Sequence, residues 1–211
     1  MDGTLLDSAE YHWLTWKEIL AAEGQEMTRE RFASTFGRRN DAVLRDLFGA
    51  AFPDHEVARI AGAKEARYRE LVLAGGIELL PGVRRWLDRL RADGWRQAVA
   101  SSAPKANIEA LLEALGIRDY FAAFAADEDV QHGKPDPEVF LVAASRLLVP
   151  PARCVVVEDA PAGVEAGRRA GMRTVGVGAA HGGLPADLTV ASLDDLPDDA
   201  FDRLLDARIQ A

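Results

Sequence analysis

The stretch Cys154-Val155-Val156-Val157-Glu158-Asp159 is a continuous, largely β-branched run that ends in two carboxylates. A run that is apolar on both faces suits a strand covered by helices on both sides, as in a parallel sheet. Moving outward, Pro161 to Ala170 reads as a helix and Thr174-Val175-Gly176-Val177 as the next strand. On the other side, Asp136-Pro137-Glu138 offers a cap with proline at the first helical position and leads into Val139 to Leu148. Before that come Phe121 to Ala126 as a strand and a helix with Ile108, Leu111, Leu112 and Leu115 at i, i+3, i+4 and i+7, stopped by Gly116. The strand Gln97-Ala98-Val99-Ala100 and a helix opened by Pro81-Gly82 and closed near Gly94 precede them. This alternation predicts an α/β fold with a Rossmann-like, three-layer parallel sheet core over 79–211.

Residues 10–78 follow another rule. Asp7-Ser8-Ala9-Glu10 is a cap-like start for a helix through about Glu23, with Trp13, Trp16, Ile19 and Leu20 as its apolar stripe. Further helical patterns cover Glu30 to Phe36, Ala42 to Phe48 and Val57 to Val72, with no strand between them, so an all-helical insertion is expected there. The 211 residues carry 25 Lys plus Arg against 34 Asp plus Glu, a formal charge of −9 that disfavours nucleic acid and anionic membrane surfaces. A small ligand is the better expectation. The single Cys154 excludes an internal disulfide, and the first residues lack the basic and apolar regions of a signal peptide, so a cytoplasmic monomer is expected.

In open α/β sheets, ligands bind outside the carboxyl ends of the strands. Those ends carry Ser101 and Ser102, Glu158 and Asp159, with Lys134 in the loop Gly133-Lys134-Pro135-Asp136-Pro137. The opening segment Met1-Asp2-Gly3-Thr4-Leu5-Leu6-Asp7-Ser8 reads as the exit from a strand, so Asp2 joins them. Three carboxylates at neighbouring strand ends repel unless a divalent cation neutralises them, and an all-oxygen set suits Mg²⁺. Lysine beside them suits a phosphoryl group. Singly, each of these residues reads as an ordinary turn, cap or solvated charge; their joint placement at strand ends favours a site.

With those residues quoted, the chain closely resembles the haloacid dehalogenase-like phosphohydrolases, in the β-phosphoglucomutase-like branch with a helical cap after the first strand. The resemblance covers essentially the whole chain and implies a core of 1–9 and 79–211 with a cap of 10–78. The family's four motifs look like Asp2-Gly3-Thr4, Ser101, Lys134 and Glu158-Asp159. By that resemblance Asp2 is the general acid/base, Ser101 and Lys134 hold the transferring phosphoryl group, and Asp2, Glu158 and Asp159 hold Mg²⁺. The first motif is Asp-x-Asp, and Met1 occupies its middle position, so the nucleophilic Asp and the first core strand are expected immediately before Met1. The chain as written forms no aspartyl-phosphate. A miscalled start or a truncation accounts for this better than a degenerate enzyme, because the rest of the site is intact.

The resemblance also reaches the cap. His12 and Lys64 match a His and a Lys that face the active site in the mutase branch, and one of Arg38 and Arg39, taken as Arg39, matches an arginine on the distal phosphate. Ser102 joins the substrate-binding set. A Ser-Lys pair of the mutases is replaced by Ala103-Pro104, with Lys105 one place late. The expected function is therefore a Mg²⁺-dependent phosphatase of small phosphorylated metabolites, of the sugar phosphate kind. β-Phosphoglucomutase activity is the alternative, and a catalytically dead binding protein on the same scaffold is an alternative of another class.

Overall fold

The computed structural model describes residues 1–35, 37–178 and 184–206. Four helices come first: α1 (Ala9–Ala22), α2 (Arg29–Thr35), α3 (Asn40–Phe48) and α4 (Asp54–Gly75). Phe36, expected to end the second of them, lies outside the described residues. Helix and strand then alternate through α5 (Val83–Ala92), β1 (Gln97–Ala100), α6 (Lys105–Ala114), β2 (Phe121–Ala125), α7 (Glu138–Leu147), β3 (Val155–Glu158), α8 (Pro161–Arg169), β4 (Arg173–Val177), β5 (Leu188–Val190) and α9 (Ala200–Asp206). No helix among the described residues is long and apolar enough to cross a membrane.

Every ladder between these strands is parallel, and the strands form two pieces, β1-β2 and β3-β4-β5. Among the described residues, β1 is laddered only to β2, and β3 only to β4. Between the pieces lies a cavity of about 1380 Å³. Val99 and Ala100 of β1, Val155, Val156 and Val157 of β3, and Phe121, Phe140 and Met172 form its walls, and Met1, Thr4 and Leu5 line it as well. It is a slot with a strand edge on each side, largely apolar but lined also by Asp93, Arg96, Arg153, Asp202 and Asp206.

Three apolar clusters hold the chain. One joins Leu6, Val83, Trp86, Val99, Ile108, Leu111, Leu112 and Val175, and it takes in Tyr68 and Val72 from α4. A second lies under α7 and α8, around Phe140, Ala143, Val156, Ala166 and Met172. The third is confined to the first four helices and their loops: Trp16, Leu20, Met27, Val43, Leu44, Val57 and Ile60. The helical stretch thus has a core of its own, and α4 runs from that core into the sheet's. The two passages of chain between them lie side by side, with Leu6 bridged antiparallel to Leu79 and the Leu80 N–H donating to the Leu5 carbonyl at 2.9 Å.

Candidate active site

Asp2 is placed by a tight turn in which the Gly3 N–H donates to the Leu6 carbonyl at 2.8 Å and the Leu5 N–H to the Met1 carbonyl at 2.7 Å. Gly3 has φ +69°, and a Cβ there would overlap the Asp159 carboxylate, so glycine is required on both counts. Ser8 precedes α1 as a capping serine should, yet its side chain caps nothing there; its hydroxyl donates to Asp2 Oδ1 instead. The same oxygen accepts from the Tyr68 hydroxyl at 3.3 Å and lies 3.4 Å from His12 Nε2. Burial works against ionisation of Asp2, but the hydrogen bond and charge of His12, the Met1 amino group and the Ser8 hydroxyl together outweigh it and lower the carboxyl well below its usual range.

His12 stacks on Tyr68, with ring centroids 4.0 Å apart and planes 8° from parallel. Its Nδ1 lies 2.8 Å from Lys64 Nζ. An ammonium can only donate, so Nδ1 accepts and the ring proton sits on Nε2, facing Asp2. Burial and the Lys64 charge lower the His12 pKa, while Asp2 and Glu65 work the other way. Lys64 is itself buried, and burial lowers its pKa while the adjacent Glu65 carboxylate works the other way.

On the sheet side, Ser101 ends β1 with its N–H donating to the Ala125 carbonyl at 2.9 Å, and its Oγ accepts from the Ala103 N–H at 3.1 Å. That leaves the hydroxyl proton for an acceptor in the cleft. Lys134 Nζ donates to Glu158 Oε1, and Glu158 Oε2 accepts from the N–H groups of Asp159 and Ala160 at 3.1 and 3.4 Å. A Cβ on Gly163 of α8 would overlap the Glu158 carboxylate, so the helix opens on a glycine that lets the carboxylate in. Asp159 Oδ1 accepts from the Thr4 hydroxyl at 3.3 Å. Burial and the neighbouring Glu158 charge push the Asp159 pKa up to about 6.

These groups share one cleft of about 140 Å³, lined by Asp2, His12, Lys64, Ser101, Ser102, Lys134, Glu158 and Asp159. Arg38 and Asn40 line it too, whereas Arg39 does not. Arg39 lies across the loop before Lys134: its Nη1 donates to the Val130 carbonyl at 3.2 Å, and its Nε sits 3.1 Å from Asp127 Oδ1. A Cβ on Gly133 would come within 2.8 Å of the Arg39 Cδ. Spacing from Gly37 could not separate the two arginines. Ser8, Tyr68, Glu65 and Asn107 were not singled out from sequence either; apart from Lys64 next to Glu65, the partners cited lie 6 to 66 residues away, in no periodic relation.

Among the described residues, no three His, Cys, Asp or Glu side chains make a closed metal cage. Mg²⁺ needs none, since it keeps most of its waters and binds through one or two carboxylates together with substrate phosphate. The donors fit it: all are oxygen, and Asp159, raised by burial beside another carboxylate, is short of positive charge. Glu158 has both oxygens committed to Lys134 and backbone N–H groups, so it serves as an anchor for the lysine more than as an open ligand.

A family model described as a haloacid dehalogenase-like hydrolase matches residues 1–171. The chain is 36% identical over 202 residues to the β-phosphoglucomutase of Bacillus subtilis, covering 93% of this chain and 88% of that one. It is 34% identical over 180 residues to the fructose-1-phosphate phosphatase YqaB of Escherichia coli, covering 84% and 93%. The crystal structure of β-phosphoglucomutase from Clostridium difficile superposes with a TM-score of 0.88 at 28% identity, covering 100% of this chain and 96% of that one.

Proposed function

This chain belongs to the haloacid dehalogenase-like hydrolases, and from that premise we propose that it is a Mg²⁺-dependent phosphatase of sugar phosphates. The observation that carries the reading is the cleft itself: Asp2, Ser101, Lys134 and Asp159 come from four separate segments and line one small volume. Independent turn residues have no reason to meet there.

In this reading, Lys134 and the Ser101 hydroxyl hold the non-bridging oxygens of the phosphoryl group and balance the charge that spreads over them during transfer. The acceptor is the aspartate that the family resemblance places just before Met1. As its oxygen bonds to phosphorus, the bond from phosphorus to the sugar oxygen breaks. The electron pair leaves with that oxygen, which takes a proton from Asp2. Asp2 is ionised at rest, which suits the later step, removal of a proton from the water that hydrolyses the acyl phosphate. Arrival of the anionic phosphoryl group raises its pKa by like-charge repulsion and lets it carry the proton for the first step. Asp159, with Asp2 beside it, would hold Mg²⁺ while Glu158 anchors Lys134, and the ion when bound supplies charge neutralisation at the phosphoryl oxygens. The helices α1–α4, with their own apolar core, act as the cap that selects the sugar.

The test is a kinetic panel on a chain carrying the family's strand and aspartate ahead of Met1. Asp159→Ala and a chelator should each abolish turnover. Lys134→Ala should depress it on every phosphate ester alike. Activity indifferent to the chelator would overturn the metal assignment. A β-phosphoglucomutase reading has one observation in its favour, the contact of His12 with Lys64 beside Asp2. Conversion of glucose 1-phosphate in the presence of a trace of bisphosphate would establish it.

A further inference from the structure

Glu65 stands next to Lys64 on α4, and its buried carboxylate is reached from three elements. Lys64 Nζ and Asn40 Nδ2 of α3 each donate to Oε1 at 2.7 Å, and Asn107 Nδ2 of α6 donates to Oε2. Asn107 is fully buried, and its Oδ1 accepts from Arg69 Nη1, one turn further along α4, at 2.6 Å. The amide has only one possible orientation here, since a guanidinium only donates and a carboxylate only accepts. Asparagine is a poor helix former and is costly to bury unless both its ends are bonded. Here both are, and both partners lie on α4. The helix that carries Asn107 begins at Lys105, just beyond Ser101 and Ser102.

We propose that Glu65 is a positioning residue for the transfer chemistry, and that Asn107 makes its position depend on α4 being seated against α6. The inference rests on the phosphatase reading for the proton-transfer role of Asp2. Its line of action runs inward. Asn40 and Asn107 fix the carboxylate, and the carboxylate supplies the counter-charge that an ammonium at this depth requires. The ammonium so held donates to His12 Nδ1, which keeps the ring proton on Nε2 and aims it at Asp2 Oδ1. Glu65 also lines the cleft, but Lys64, Asn40 and Asn107 take up both of its oxygens, so its part in the transfer is indirect. It acts through Lys64 and His12, and a hydrogen bond from the sheet side of the molecule decides whether it is in place.

The leaving group separates positioning from packing, because a sugar oxygen needs a proton to depart and p-nitrophenolate barely does. Glu65→Gln and Asn107→Ala are compared with the parent, on the chain carrying the family's strand and aspartate, using a sugar phosphate and p-nitrophenyl phosphate. In Glu65→Gln, kcat on the sugar phosphate should fall about 10- to 100-fold with KM little moved, and on p-nitrophenyl phosphate about threefold or less. The double exchange Glu65→Gln with Asn107→Asp returns an amide facing a carboxylate, still beside Arg69, and so restores the hydrogen bond to α6 but not the counter-charge at Lys64; it should recover part of the lost rate, not all of it. ¹⁵N resonances of the His12 ring should report a proton on Nε2 in the parent and a mixed ring in Glu65→Gln. Equal losses on both esters, an unchanged imidazole signature, or no recovery in the exchange would overturn the inference and leave Glu65 a packing residue. If Glu65→Gln does not fold, Asn107→Ala carries the same comparison. A parent with no turnover of any phosphate ester overturns the phosphatase reading and this inference with it, whereas equal losses in an active parent overturn the inference alone.

Discussion

Gly3 meets two constraints at once, a positive φ and the Asp159 carboxylate where its Cβ would be. Gly3→Ala should therefore cost at least about 1 kcal/mol of stability through backbone strain and displace Asp159 as well. Mg²⁺ titration followed by unfolding temperature should show weaker metal binding in the variant; an unchanged affinity would count against Asp159 as a ligand. Asp159 also sets a pH dependence. Its pKa rises from 3.8 to about 6 on folding, so the metal-free protein binds more protons folded than unfolded. The stability this contributes is present below the unfolded pKa and is lost as pH rises through about 6. The unfolding temperature gained on adding Mg²⁺ should accordingly grow from pH 4 to 7, and Asp159→Asn should flatten that growth. The two arginines after Gly37 divide in the same way. Arg38→Ala should change discrimination among sugar phosphates by about 1–3 kcal/mol, because it lines the cleft. Arg39→Ala loosens the loop that carries Lys134 and should slow all substrates together.

Elements with long periodic patterns were legible from sequence. The strand Gln97–Ala100 has the expected bounds, and β3, β4 and the helices between them lie within a residue or two of expectation, because apolar runs and proline caps mark their ends. β5 and α9, of three and seven residues, carry too little pattern to be read, and they are held by tertiary contacts. β5 depends on Asp187, whose carboxylate accepts from the Thr174 N–H at 2.8 Å and its hydroxyl at 2.9 Å. Asp187→Ala should leave these buried donors unsatisfied and cost about 1–3 kcal/mol in a denaturant melt. Strand ends exposed most of the site in the same manner, since topology alone brings them together. What topology does not determine is which neighbour a polar side chain selects. Ser8 could cap α1 and instead serves Asp2, and Glu65 finds Asn107 across 42 residues with no motif to announce it.

At the scale of the molecule, the slot between β1 and β3 separates two pieces of parallel sheet that a single strand would join. A strand running up to Met1, as the family resemblance places it, would ladder to both and put its last residue beside Asp2. A synthetic peptide of five or six β-branched residues ending in Asp, added to the 211-residue chain, should raise its unfolding temperature; an alternating polar peptide should not. The same feature bears on behaviour at high concentration. Two strand edges facing a largely apolar gap offer N–H and C=O groups to any extended segment, including one from another copy of the chain. A net charge of −9 keeps copies apart at low salt, so salt that screens it should bring on light scattering, and the inserting peptide should suppress that scattering. On that prediction, the gap that would seat a strand beside Asp2 is also where copies of the 211-residue chain associate, and filling it should protect solubility.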